Sequence, residues 1–385
     1  MIPESIENLR WDPYFIRSDE EFGYFWSDYL QTNSSNILYI LGRGFNPRMC
    51  LGINSIFTIE GLGARDCLLI CYDEGPNSPS EKQGSILKSN MDTLKFITDK
   101  AGEYSEKEIK MWVNEGTGIN RRRVGSKVAH AFKDKSELIK YDDIIIDISS
   151  MPRGIYFPLI TNILKLLDDL QREIGKVTNL HLIVAEDAEL DYKIKEIGID
   201  EDANCVYGFS GDLYMESTDG VPKVWFPILG EAKHQQLRRI YNHIRPDEIC
   251  PVLPSPSSDP RRGDKMMIDY RELIFDEWNV DTKNIIYSNE KNPFETYRQL
   301  VRAINYYKKV LEPLNGCRPI ISAVTSKLIS IGALLTAYDL KSKGINISLV
   351  NIEAQGYEIT NLTKNVSTST RQLFTLLLKG EEYDS

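Results

Sequence analysis

What constrains this chain most is a series of short, continuously apolar runs, five in each half, each followed by a turn and then by a stretch with helical spacing. In the first half the runs are "NILYILGRGFNP", "DCLLICYDEG", "EIKMWV", "DDIIIDISS" and "NLHLIVAED". In the second they are "KVWFPILG", "EICPVLPSPSSDP", "NIIYSNE", "RPIISAVTS" and "NISLVNIEAQGYEI". A strand with one wet face would alternate apolar and polar residues, whereas a continuous run is buried on both faces. Buried strands alternating with helices such as "IYFPLITNILKLLDDLQREI" and "PFETYRQLVRAINYYKKVLEPL" predict a parallel sheet covered on both sides. The fold class expected is α/β, with two tandem Rossmann-like domains of mainly parallel sheet.

The halves also echo each other locally. "YILGRG" answers "PILGEA", "GPNSPS" answers "LPSPSS", and "AELDYKI" answers "EAQGYEI", with offsets drifting from 188 to 165 residues as loop insertions would make them. The order points to an internal duplication. The expected organisation is an N-terminal helical extension over 1–35, a first domain over 36–207 and a Gly-, Ser- and Asp-rich linker over 208–222. A second domain would span 223–360, and a C-terminal helix with an acidic tail would span 361–385.

The 385 residues carry a formal charge of −10, which argues against direct binding of long nucleic acid, because the sequence-independent part of that binding is electrostatic. Six cysteines form no CxxC pair and four histidines offer no zinc spacing, so reduced core thiols and no metal are expected. The start, "MIPESIENLRWDPYF", lacks the charged-then-apolar order of a secretory leader, and no apolar run is long enough to span a bilayer. A cytoplasmic protein with no membrane association is the reading. There is no GxxxxGK[ST] loop, no GxSxG elbow and no HExxH, and the sequence offers no catalytic set and implies no cofactor.

Candidate binding residues cluster where strands end. "DISSMPRGIYFPLI" and "SAVTSKLISIGALL" each pass from a strand through small hydroxyl residues and one cation into an apolar helix. Ligands of open parallel sheets bind beyond the carboxyl ends of the strands, and helix N-termini there present N–H groups to anions. Ser149, Ser150 and Arg153, with Ser322, Thr325, Ser326 and Lys327, are therefore the expected anion site. The bland reading of the same residues is helix capping. Gly42, Arg43, Gly44 and Phe45 follow the first strand and would let a backbone approach a ligand. Arg121, Arg122 and Arg123, with Arg261 and Arg262, are local basic clusters that could touch phosphate. Tyr192 and Tyr357 follow the last strand of each half, in positions to stack on a base or on the sheet, and Asp73 and Glu74 close the second strand.

"TSKLISIGALLTAY" resembles the Ser/Thr-rich turn ending in a cation that follows the fourth strand of CARF-type Rossmann-like domains, and "SSMPRGIYFPL" is a looser version with Pro152 and Arg153 where the Lys would stand. Two CARF-like units in one chain is the plan of the SAVED domain, which the whole of residues 36–360 resembles. That resemblance implies a non-catalytic sensor in antiphage defence. It would bind a nucleotide-type anion, such as a cyclic oligonucleotide, between its two domains and signal to a protein partner or effector subunit. Carried over, the contacts would be Ser150, Arg153, Ser326, Lys327 and the Gly42–Phe45 loop. Two other readings stay open: a two-domain nucleotide- or sugar-nucleotide-dependent transferase or hydrolase, and a scaffold subunit of a defence complex with a vestigial pocket.

Overall fold

The computed structural model describes residues 8–75, 82–99, 102–115, 119–122, 128, 132, 134–200, 202–359 and 371–383. It divides into two compact units, one of Pro13–Ile199 with Ala354–Ser385, the other of Asp200–Glu353 with the residues up to Asp12. In chain order the first unit holds β1 (Ile16–Ser18), α1 (Asp19–Thr32), β2 (Ile37–Gly42), α2 (Leu51–Phe57), β3 (Arg65–Asp73), α3 (Gly84–Thr98) and β4 (Tyr104–Lys110). There follow the hairpin β5 (Trp112–Glu115) and β6 (Ile119–Arg122), then β7 (Asp143–Asp147), α4 (Arg153–Ile174), β8 (Asn179–Glu186), α5 (Ala188–Lys193) and β9 (Ile194–Ile199). The second unit holds β10 (Asn204–Ser210), β11 (Lys223–Ile228), α6 (His234–Ile244), β12 (Glu248–Ile249), β13 (Val252–Pro254), α7 (Arg262–Asp269), β14 (Ile286–Ser288), α8 (Pro293–Val310), β15 (Arg318–Ala323), α9 (Lys327–Ser342) and β16 (Ser348–Asn351). β17 (Ala354–Ile359) and β18 (Gln372–Lys379) return to the first unit.

Each unit is built on a mostly parallel sheet, as the continuous apolar runs require. The first sheet runs β1-β18-β8-β7-β2-β3-β4 and the second β10-β16-β15-β11-β13-β14, with β12 also on β11. Numbering the five parallel strands of each core by their place in the chain, both sheets read 5-4-1-2-3, and in both an antiparallel strand lies outside the fifth. The local echoes in the sequence thus correspond to one shared strand order. β2 and β7 are buried at every position, and so is β15. α4 follows the fourth strand and buries ten side chains, among them Ile155, Phe157, Leu159 and Leu167, and it stops at Gly175 in the left-handed conformation (φ 69°) that a Cβ disfavours. Asn292 starts α8 by accepting from the Phe294 and Glu295 amides, with Pro293 in the first turn.

One expectation from sequence is corrected. "RQLFTLLLKG" is not a helix: Gln372–Lys379 is a strand inserted between β8 and β1, antiparallel to both. Its leucines favour a helix by propensity, yet eight residues flanked by two open strand edges bury more apolar surface and satisfy more backbone groups as a strand. "YRELIFDEW" is helical, but Glu272–Glu277 takes the wider π-helical winding. The N-terminal extension holds the helix α1. α1 buries Phe22, Trp26 and Leu30 in the core of the first unit, whereas Trp11 is wholly buried in the second, edge-on to Tyr297 at 5.3 Å.

Candidate functional site

In a 5-4-1-2-3 sheet the first and fourth strands are neighbours whose connections leave toward opposite sides, so the crevice between their carboxyl ends is the switch point where open α/β sheets take ligands. In the first unit that place lies beyond Gly42 and Asp147; in the second it lies beyond Ile228 and Ala323. The residues expected to bind are therefore brought together, pairwise, within each unit.

In the first unit the two loops interlock. The Ser150 hydroxyl donates to the Gly42 carbonyl at 2.6 Å, and Tyr72 donates to the Ser150 carbonyl at 2.7 Å. Ser149 is wholly buried; its Oγ accepts from the Ala185 amide at 2.9 Å and its carbonyl accepts from Asn46 Nδ2 at 3.2 Å. A Cβ on Gly42 would stand 2.6 Å from Met151 Cγ, and one on Gly44 would stand 2.9 Å from the Tyr72 hydroxyl. The glycines thus admit the chain's own fourth-strand loop. Arg43 is exposed, Phe45 half-buried, and the Asn90 amide ties the Gly44 and Asn46 carbonyls at 2.9 Å each. Asp147 accepts from Tyr39 at 2.7 Å and from the Ser149 amide at 2.9 Å, which makes it a structural acid.

Arg153 opens α4, and the residue before it, Pro152, supplies no side-chain cap. Arg153 is half-buried, with its Nε buried. Burial alone would push its pKa down; Tyr156, Glu196 and Tyr357 outweigh that and hold it above its ordinary value. Sequence reasoning missed Arg48, which is 3% exposed. It donates to Asn46 Oδ1 at 3.1 Å and to the Ala185 carbonyl at 3.1 Å, and forks onto Asp191 at 2.5 and 3.2 Å. The Pro-flanked "NPRMC" gave no sign of a buried cation, because its partner lies 143 residues away.

The second unit repeats the interlock with different chemistry. A Cβ on Gly230 would stand 2.0 Å from the Val324 carbonyl oxygen, so the first loop again packs on the fourth. Ser322 is wholly buried and accepts from Trp225 Nε1 at 2.9 Å. Ser326 caps α9, accepting from the Ile329 amide at 3.4 Å, while Thr325 and Lys327 are half-buried. Arg262 stands between two carboxylates, bidentate to Glu231 at 2.5 and 3.0 Å and bonded to Glu290 at 2.7 Å. Burial would raise both acids, but Arg262, with the Ser258 amide on Glu290, holds them below their usual range. Arg261 is exposed, with its amide on Asp259 at 3.0 Å. Arg121 and Arg122 lie on β6, opposite Val113 and Trp112, and Arg123 lies outside the described residues. Tyr357 is on β17, register partner of Glu196, and Tyr192 lies within α5. Among the described residues no group of three His, Cys, Asp or Glu could hold a metal ion, and no helix is long and apolar enough to cross a membrane.

No family model matches the sequence, and no curated protein matches it. Among solved structures the chain is similar to a type III CRISPR defence DNA nuclease activated by cyclic oligoadenylate, with 10% identity over 79% of this chain and a TM-score of 0.41. The match spans 63% of that nuclease's length. Universal stress proteins also match: a putative one from Pseudomonas aeruginosa UCBPP-PA14 at 11% identity (82% of this chain, 91% of that one, TM-score 0.21), and one from Archaeoglobus fulgidus DSM 4304 at 9% (83% and 97%, TM-score 0.24).

Proposed function

We propose that the chain is a non-catalytic recognition component that binds a nucleotide-type anion at the strand-end loops of its Rossmann-like units and signals to a protein partner in antiphage defence. The observation that carries this reading is the shared 5-4-1-2-3 strand order, in which both sequence-repeated loops fall at the switch point of their own sheet. The defence setting rests on the resemblance of "TSKLISIGALLTAY" and "SSMPRGIYFPL" to CARF-type turns. The first unit is the stronger site. α4 begins at Arg153 without a side-chain cap, and Arg43 and Arg153 stand on the two loops that meet there. In the second unit Ser326 already caps α9 and Arg262 is already neutralised by Glu231 and Glu290. Thr325 and Lys327 are half-buried in the same loop. A scaffold with closed loops is the second reading, and the packing of Gly42, Gly44 and Gly230 against neighbouring loops favours it.

Native mass spectrometry with cyclic and linear oligoadenylates and mononucleotides tests the proposal. Arg43→Ala removes an exposed cation, and is expected to weaken binding about ten-fold, or about 1.4 kcal/mol. Lys327→Ala should change it less. Absence of any bound nucleotide on the folded protein would leave the scaffold reading standing.

A further inference from the structure

The carboxyl end of α6, in the second unit, gathers a basic cluster that the strand-end loops do not use. Arg239, Asn242 and His243 stand at i, i+3 and i+4 on one face of the helix, and Arg245 caps it in the left-handed conformation (φ 48°, ψ 71°). With Asp202 and Ala203 they line a cavity of about 590 Å³. The half-buried Arg239 donates to the Asp200 carbonyl, which orients its fork without cancelling its charge. Arg245 is exposed and forms no ion pair among the described residues. His243 Nε2 is bonded to the Tyr214 hydroxyl at 2.8 Å, and Cys205 Sγ donates to that same hydroxyl at 3.7 Å. A phenol that accepts from the thiol directs its own O–H to Nε2, which leaves the imidazole N–H on Nδ1. Burial pushes the His243 pKa down and Asp202 pulls it back, so the positive charge of the cavity rests on the two arginines.

We propose that this cavity binds a small phosphate monoester, such as a sugar phosphate, at a site separate from the strand-end crevice of the same unit. α6 leaves that crevice at His234, and its eleven residues carry the last turn about 15 Å away. Cations in a last turn often do no more than offset the helix dipole. Arg239 lies more than a turn back with its fork on Asp200, and Arg245 lies beyond the helix in a conformation that glycine or asparagine adopts at lower cost. The partial negative charge at the helix end, roughly half a unit, is exceeded by two guanidiniums. Two planar forks, an imidazole N–H and the Asn242 amide offer more donors than the two oxygens of a carboxylate can accept, whereas a phosphate monoester brings three terminal oxygens. The volume leaves room for the group that carries the phosphate, and Asp202 can accept from a hydroxyl of that group. The site does not depend on the strand-end reading.

The test is calorimetric titration of the full chain with ribose 5-phosphate, inorganic phosphate and succinate, using native protein, Arg245→Gly, Asp202→Asn and Arg43→Ala. Arg245→Gly removes the guanidinium while glycine takes the left-handed cap freely, so its thermal melt should stay at or above the native one. Ribose 5-phosphate should bind the native protein, and Arg245→Gly should weaken it about ten-fold. Asp202→Asn should tighten inorganic phosphate several-fold by removing a like charge, and weaken ribose 5-phosphate relative to it. Arg43→Ala, in the other unit, should change neither. Three results would overturn the proposal: no heat from either phosphate on folded native protein, binding that Arg43→Ala abolishes and Arg245→Gly leaves intact, or succinate binding as tightly as ribose 5-phosphate. The second of these would place the anion at the strand-end loops and so leave the binding reading above standing.

Discussion

Gly230 shows at the scale of one residue why the strand-end loops were only half legible. The sequence places Gly, Ser and Thr at the right turns, and each is a good ligand-binding residue in isolation. In the structure Gly230 leaves room for the Val324 carbonyl, Gly42 for Met151, and Ser149 and Ser322 spend their hydroxyls on Ala185 and Trp225. Those partners come from elsewhere in the chain, 36 and 97 residues away, and no local pattern announces them. Gly230→Ala is expected to destabilise the protein by about 2–3 kcal/mol, because the new methyl meets backbone that cannot swing aside. Gly263→Ala, where a Cβ would make ordinary contact with the Pro254 carbonyl at 3.5 Å, is the control and should be neutral or slightly stabilising. Denaturant melts of the two variants beside the native protein check the contrast.

At the scale of elements, strands with continuous apolar runs were readable and β18 was not. A parallel strand in the middle of a sheet carries its own signature, since both faces must be apolar. An eight-residue leucine-rich run can serve as helix or strand, and only the open edge of β8 decides. The choice is reinforced at its end, where buried Lys379 pairs with Asp168 of α4 at 3.0 Å and donates to Gln171. Leu376 is wholly buried and sits between Leu182 and Ile16. Leu376→Pro removes an N–H with paired strands on either side, so loss of the first unit's cooperative melt is expected, seen by circular dichroism. A strand that merely frayed, with the melt unchanged, would mean that β18 adds little to this sheet.

For the whole molecule, the two units share a response to pH through their thiols. Cys50 and Cys67 in the first unit and Cys250 in the second are pushed up to about 12, and Cys71 and Cys317 to about 11, in each case first by burial. A thiol is neutral when protonated, so a folded pKa above the unfolded value near 9.0 gives stability that is present below pH 9 and lost as pH rises toward 11–12. Each thiol adds up to about 1.4 kcal/mol of lost stability per pH unit in that window. The melting temperature should fall steeply above pH 9, and Cys67→Val with Cys250→Val should flatten the fall. The sequence by itself determined the α/β class, the two parallel cores and their repeated turns, because buried strands and helix starts are written in local spacing and composition. Only the tertiary structure decided that Trp11 belongs with the second unit and β18 with the first, and that the loop hydroxyls and Arg262 are already partnered. Those outcomes depend on edges and charges contributed from far along the chain, and such partners have no local signature.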